Sequence, residues 1–136
     1  MRPIKLGGVV SCLLLVGTAE ASGAAAEERR TADAVQVTIL SSNLASDATV
    51  GEWGLSALVE VDGQCVLFDV GRYPDTVLRN AAVLDVDISC VSDVVLSHFH
   101  FDHNTGLLPL LGNLRSQSPD AIRRVHVASG FFLRRQ

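Results

Sequence analysis

Ser97-His-Phe-His-Phe-Asp-His103 holds three histidines and one aspartate within the six residues from His98 to His103. Imidazole nitrogens with a carboxylate oxygen suit zinc best, and manganese and iron accept the same donors. His98 and His100 are two apart, so in an extended segment they point the same way, and a turn after them can bring Asp102 and His103 to an adjacent position. A metal held there with an open coordination position lowers the pKa of a bound water, which is the chemistry of hydrolysis. His98, His100, Asp102 and His103 are the candidate metal ligands, and Asp102 is the candidate catalytic residue. Histidines at i and i+2 are alone as often ordinary strand residues, and a surface cluster can bind metal adventitiously or sense pH; the whole string favours a metal.

These residues need a frame to hold them, and the chain alternates like an α/β protein. Residues 35–40 are β-branched and short, as in a strand, and two more strand-like runs, 55–61 and 65–70, flank Asp62-Gly63, a dipeptide that takes the positive φ angles of a tight hairpin. Val77, Leu78, Ala81 and Leu84 recur at helical spacing, which predicts a helix from Pro74, placed in the first turn, to Leu84. Asp85 to Ser92 reads as a turn. Residues 93–97 form the next strand, so the histidines start at a strand's C-terminal end. Leu107, Leu108, Leu110 and Leu111 suggest a short helix despite Pro109, residues 125–128 another strand, and Phe131 to Arg135 the opening of a helix.

At 136 residues the chain has room for one domain, and with 48% hydrophobic residues and a net charge of -4 it is too apolar for disorder and lacks the positive field of a general nucleic-acid binder. Arg115, Arg123, Arg124, Arg134 and Arg135 cluster near the C-terminus outside any recognised nucleic-acid-binding module, so a solvated face is expected and no nucleic acid. Arg2 and Lys5 precede an apolar run over 6–16, and Ala19-Glu-Ala21 supplies a cleavage pattern. The run is shorter than the roughly 20 residues that cross a bilayer. Residues 1–21 are therefore expected to be a signal peptide, 22–34 a linker and 35–136 the folded part, exported to the periplasm or beyond, with no membrane span after cleavage. Cys12 falls in the apolar run. Cys65 and Cys90 could pair in an oxidising compartment, but neither sits in a C-x-x-C, and both are read as buried, apolar-like residues.

The HxHxDH motif after an apolar strand resembles the metallo-β-lactamase fold, an αββα sandwich with a binuclear metal site. Phe68-Asp-Val-Gly71 is similar to that family's strand-ending Asp-x-Gly element, and Trp53-Gly-Leu-Ser56, Asp69-Val-Gly-Arg72, Asn80, residues 94–98 and Gly106-Leu-Leu108 resemble the branch of 7,8-dihydropterin-6-methyl-4-(β-D-ribofuranosyl)aminobenzene-5′-phosphate synthases. The resemblance implies that His98 and His100 bind a first zinc and Asp102 and His103 a second, with Asp69 accepting hydrogen bonds that orient a ligand or the motif backbone. A turn residue before Gly71 is the plainer reading of Asp69. The family draws its remaining ligands from later segments. Only His126 follows the motif, and its setting in a β-rich stretch reads as structural.

The expected fold is thus the N-terminal half of the αββα sandwich, apparently truncated, with a mixed sheet that has one face uncovered. The expected function is an exported, binuclear zinc-type hydrolase acting on a small-molecule ester, lactone, phosphoester or amide through a metal-activated water. A catalytically incomplete metal-binding fragment and a synthase-like transferase are the alternatives, and weak metal binding with poor turnover is expected of these residues alone.

Overall fold

The structure is a computed structural model that describes residues 31–73 and 75–133. The signal-peptide reading, Pro74 as a first-turn residue, and Arg134 and Arg135 lie outside the described residues.

Asp62 and Gly63 both take positive φ, 49° and 81°. That pair of left-handed conformations turns the chain in two residues, so β2 (Ser56–Val61) runs back antiparallel on β3 (Gln64–Phe68). The Asp62 carboxylate also accepts the N–H groups of Asp33 and Ala34 at 3.1 and 2.8 Å, which fastens the entry to β1 (Val35–Ser41), antiparallel to β2. After β3 the chain crosses through helix α1 (Thr76–Val83) to β4 (Val91–Leu96), then through the short α2 (Phe101–Asn104) and α3 (Leu107–Gln117) to β5 (Arg124–Val127). Both crossovers return a parallel strand, and the mixed sheet has the order β1-β2-β3-β4-β5. The α/β expectation is met.

Strand side chains alternate between faces. On one face Leu58, Leu67, Val94 and Leu96 pack with Val77 and Ala81 of α1 and Leu110 and Leu114 of α3 in a single core. On the other, Val37, Val59 and Val66 lie in register across β1, β2 and β3, and Val35, Val37 and Ile39 are exposed.

Several boundaries differ from expectation. Helix α1 starts at Thr76 with Asp75 as its N-cap and ends at Val83. Strand β4 begins at Val91, because that side chain is buried and pairs with Cys65. Helix α3 extends to Gln117, and Pro109 sits in its first turn, where a missing N–H removes no helical bond. Phe131 and Phe132 form a turn, with no helix. The reading of both cysteines as buried and unpaired is corrected: Cys65 and Cys90 form a disulfide with Cα atoms 5.6 Å apart, and Cys90 is exposed. The parallel register sets Val91 beside Cys65, so Cys90, one residue earlier, is brought within reach.

Candidate metal centre

Strands β3 and β4 are parallel neighbours, so their C-terminal ends lie side by side, where ligands collect in open α/β sheets. Asp69 ends one and Ser97 the other, and the Asp69 N–H donates to the Val95 carbonyl at 2.8 Å. Asp69 is fully buried with φ 54°, a left-handed conformation that costs a non-glycine residue about 1 kcal/mol or more. That turn aims its carboxylate at the motif. It accepts the Ser97 N–H at 2.8 Å, the Ser97 hydroxyl at 2.7 Å and His103 Nδ1 at 2.7 Å.

Counting protons fixes the tautomers. A carboxylate only accepts, so His103 Nδ1 carries the hydrogen, and in the neutral imidazole Nε2 then carries the lone pair. The single Ser97 hydroxyl proton goes to Asp69, so His98 Nδ1, 2.8 Å from Ser97 Oγ, must donate as well, and its Nε2 is likewise a lone-pair nitrogen. One carboxylate thus orients two imidazoles, directly for His103 and through Ser97 for His98. The His98 ring centroid lies 4.2 Å from that of His103 and 4.6 Å from that of His100. Asp102 Oδ2 stands 3.6 Å from His103 Nε2. His100 is the N-cap of α2 in extended conformation, and the turn it opens carries Asp102 and His103 back towards His98. The donor types fit a zinc-like cation; among the described residues, however, no group of three or more His, Cys, Asp or Glu side chains closes into a ready-made cation cage.

The loop around Asp69 is sewn to the motif by backbone bonds: Val70 N–H to the His103 carbonyl at 3.0 Å and Gly106 N–H to the Gly71 carbonyl at 3.3 Å. A β-carbon at Gly106 would run into the Val70 carbonyl, which is why this close approach takes glycine.

Sequence reasoning missed two residues that hold this frame. Glu52 is buried and its carboxylate accepts from the Ser41 hydroxyl at 2.6 Å, Arg72 N–H at 2.9 Å, Tyr73 N–H at 3.0 Å and the Thr76 hydroxyl at 2.9 Å, anchoring the loop after Asp69 to β1 and α1. Ser97 relays Asp69 to His98. The available signals were weak: a lone acid just before Trp53-Gly-Leu-Ser56, and a hydroxyl between a strand and the first histidine. Asn80, by contrast, holds Leu40 and Val50 through three bonds of 2.8 Å.

His126 stands on β5 with Nε2 2.6 Å from Asp93 Oδ1, beside the Arg124 guanidinium, which grips the same carboxylate at 2.7 and 3.0 Å. Arg124 first, then His126 and Ser92, holds the Asp93 carboxyl well below the usual carboxylate range, and Asp93 in turn raises the Arg124 guanidinium. Arg115 donates to the Ala121 and Ile122 carbonyls. Among the described residues no helix is long and apolar enough to cross a membrane.

Residues 54–115 match the sequence profile of the Metallo-beta-lactamase superfamily. The chain is 33% identical over 70 residues to the 7,8-dihydropterin-6-methyl-4-(beta-D-ribofuranosyl)-aminobenzene-5'-phosphate synthase of Methanocaldococcus jannaschii, a match covering 48% of this chain and 24% of that protein. Among solved structures it is similar to Tm1679, a metal-dependent hydrolase of the beta-lactamase superfamily, with 37% identity, a TM-score of 0.46 and coverage of 55% of this chain and 27% of that one. It is also similar to human tRNase Z, short form, with 26% identity, a TM-score of 0.49 and coverage of 60% and 30%. The chain spans about a quarter of the length of the curated synthase it matches. The profile match takes in Asp69, Ser97 and the whole histidine motif, so the likeness to the Metallo-beta-lactamase superfamily falls on the segment that holds the candidate centre.

Proposed function

We propose that the chain carries the metal-binding motif of an exported, metal-dependent hydrolase whose site is of the binuclear zinc type. The observation that carries this reading is the hydrogen bonding at Asp69, which in the neutral imidazoles leaves Nε2 of His98 and of His103 as lone-pair nitrogens, the latter beside Asp102. His98 and His100 would hold one zinc, Asp102 and His103 the other, with manganese or iron able to replace zinc. Zinc bound there supplies Lewis acidity and acidifies a coordinated water towards neutral pH. Asp69 keeps the two imidazoles in the ligand tautomer, and Asp102 Oδ2, facing His103 at 3.6 Å, is the acceptor for a proton from the attacking water. The substrate is a small ester, lactone, phosphoester or amide.

The Cys65–Cys90 disulfide supports export, because such bonds persist in oxidising compartments. The identity to the archaeal synthase favours a second reading, a transferase of that branch. The test is hydrolysis of p-nitrophenyl acetate and bis(p-nitrophenyl) phosphate by the zinc-loaded chain. Zinc-dependent turnover, however slow, that drops at least tenfold in Asp102→Asn is the expected result. No turnover above buffer, with zinc bound, would overturn the hydrolase and leave the transferase or a non-catalytic metal-binding segment.

A further inference from the structure

Beside the histidines lies a cavity of about 260 Å³ that the metal chemistry leaves unused. Its walls are Ser97, His98 and Phe99 from the end of β4 and Ala128, Phe131 and Leu133 from the turn after β5. It opens where two parallel strands end together, and it shares His98 with the candidate metal centre, so a molecule held at the histidines has its neighbouring group here.

The lining is aromatic and wet-facing. Phe99 meets Phe131 edge to face with centroids 5.2 Å apart, and Phe132 completes the cluster at 5.1 Å from Phe131 and 6.4 Å from Phe99. Phe131 is buried and fixes the arrangement, whereas Phe99, Phe132 and Leu133 are 54%, 78% and 76% exposed. Large apolar side chains held in water next to reactive groups mark a binding site. Rings set at 87°, 74° and 62° to one another offer both faces and edges, the geometry in which a further ring gains more than an alkyl chain of equal area. The volume is below the roughly 300–1,000 Å³ of pockets for drug-sized ligands, which limits the guest to about one or two rings. Among the described residues no Asp, Glu, Lys or Arg side chain lines it, which favours an uncharged guest group.

We infer that this cavity is the specificity subsite of the centre and takes an uncharged aromatic group of the substrate, attached directly to the bond presented at the histidines. The inference rests on the proposed function for its place beside a reacting centre, but ring binding is measurable without turnover.

The test is fluorescence titration of 2-naphthol into the full chain, without metal and with zinc, for wild type, Phe99→Ala and Leu133→Ala, with circular dichroism to establish that each is folded. Leu133 is exposed and distant in sequence from the histidines, so it keeps the test alive if Phe99→Ala disturbs the motif. Saturable binding, weakened at least fivefold by Phe99→Ala or about threefold by Leu133→Ala, is expected. Absence of saturable binding, or equal affinity in all folded variants, would overturn the subsite. Naphthol binding lost in the variants, together with no hydrolysis of 1-naphthyl acetate by the zinc-loaded chain, keeps the subsite and rejects the hydrolase; turnover of that ester without naphthol binding does the reverse.

Discussion

Asp69 stands behind the histidine motif, bonded to Ser97 and His103. Its carboxylate satisfies three donors at once, so Asp69→Ala leaves the Ser97 N–H, the Ser97 hydroxyl and His103 Nδ1 without their acceptor. Each buried unsatisfied group costs about 1–3 kcal/mol, and loss of a carboxylate behind a ligating histidine costs about 10–100-fold in metal affinity. Urea unfolding of Asp69→Ala should therefore show a loss of at least about 2 kcal/mol, and competition with a chelating dye a zinc affinity at least about tenfold weaker. Unchanged zinc affinity would detach Asp69 from the centre. The four candidate ligands stand out by residue type and spacing, whereas Asp69 was pointed to only by its likeness to a family's Asp-x-Gly element and could equally be read as a turn residue. Ser97 and Glu52 were not legible: a buried serine or glutamate is defined by donors from segments distant in sequence, as Glu52 is by Ser41, Arg72, Tyr73 and Thr76.

At the scale of elements, the hairpin at Asp62-Gly63 could be read from two residues because the turn chemistry is local. The disulfide could not, since its cysteines are 25 apart and only the parallel register of β3 on β4 joins them. Closing a loop of that length stabilises by about 3 kcal/mol in the chain-entropy picture, so reduction should lower the unfolding free energy by about that amount. A change below about 1 kcal/mol would mean that the bond constrains little. Asp93 with Arg124 and His126 adds side-chain bonds to the parallel ladder between β4 and β5. Folding depresses the Asp93 carboxyl, so its contribution is present above the ordinary carboxylate value of about 4 and is lost as pH falls below it. Asp93→Asn should unfold at lower urea than wild type at neutral pH, with the gap narrowing towards about pH 2–3. A gap independent of pH would assign the loss to packing instead. Helix α3 exceeded its leucine pattern because Leu114, near its end, reaches the core across polar neighbours.

Among the described residues the sheet has one face covered by α1 and α3 and exposed Val35, Val37 and Ile39 on the other, with the histidine motif at the ends of β3 and β4. That frame follows from glycine as much as from apolar pattern. Gly106→Ala drives a methyl into the Val70 carbonyl and must part α3 from the Asp69 loop, so a loss of about 1–3 kcal/mol together with weaker zinc binding is expected, measured by urea unfolding and dye competition on one preparation. Stability lost with zinc affinity intact would show that the frame and the centre are separable. The alternation of strands and helices made the fold class readable, whereas the aromatic cavity was hidden because Phe99 and Phe131 are brought together only by the parallel pairing of β4 and β5.

Zinc binding by the histidine motif that Asp69 holds is measured most directly by zinc titration of the metal-free chain followed by calorimetry, beside a His98→Ala/His103→Ala double variant that circular dichroism shows to be folded. Saturable binding to the wild type and none to the double variant is expected. Equal zinc binding by both, or none by either, would contradict a zinc centre at these histidines.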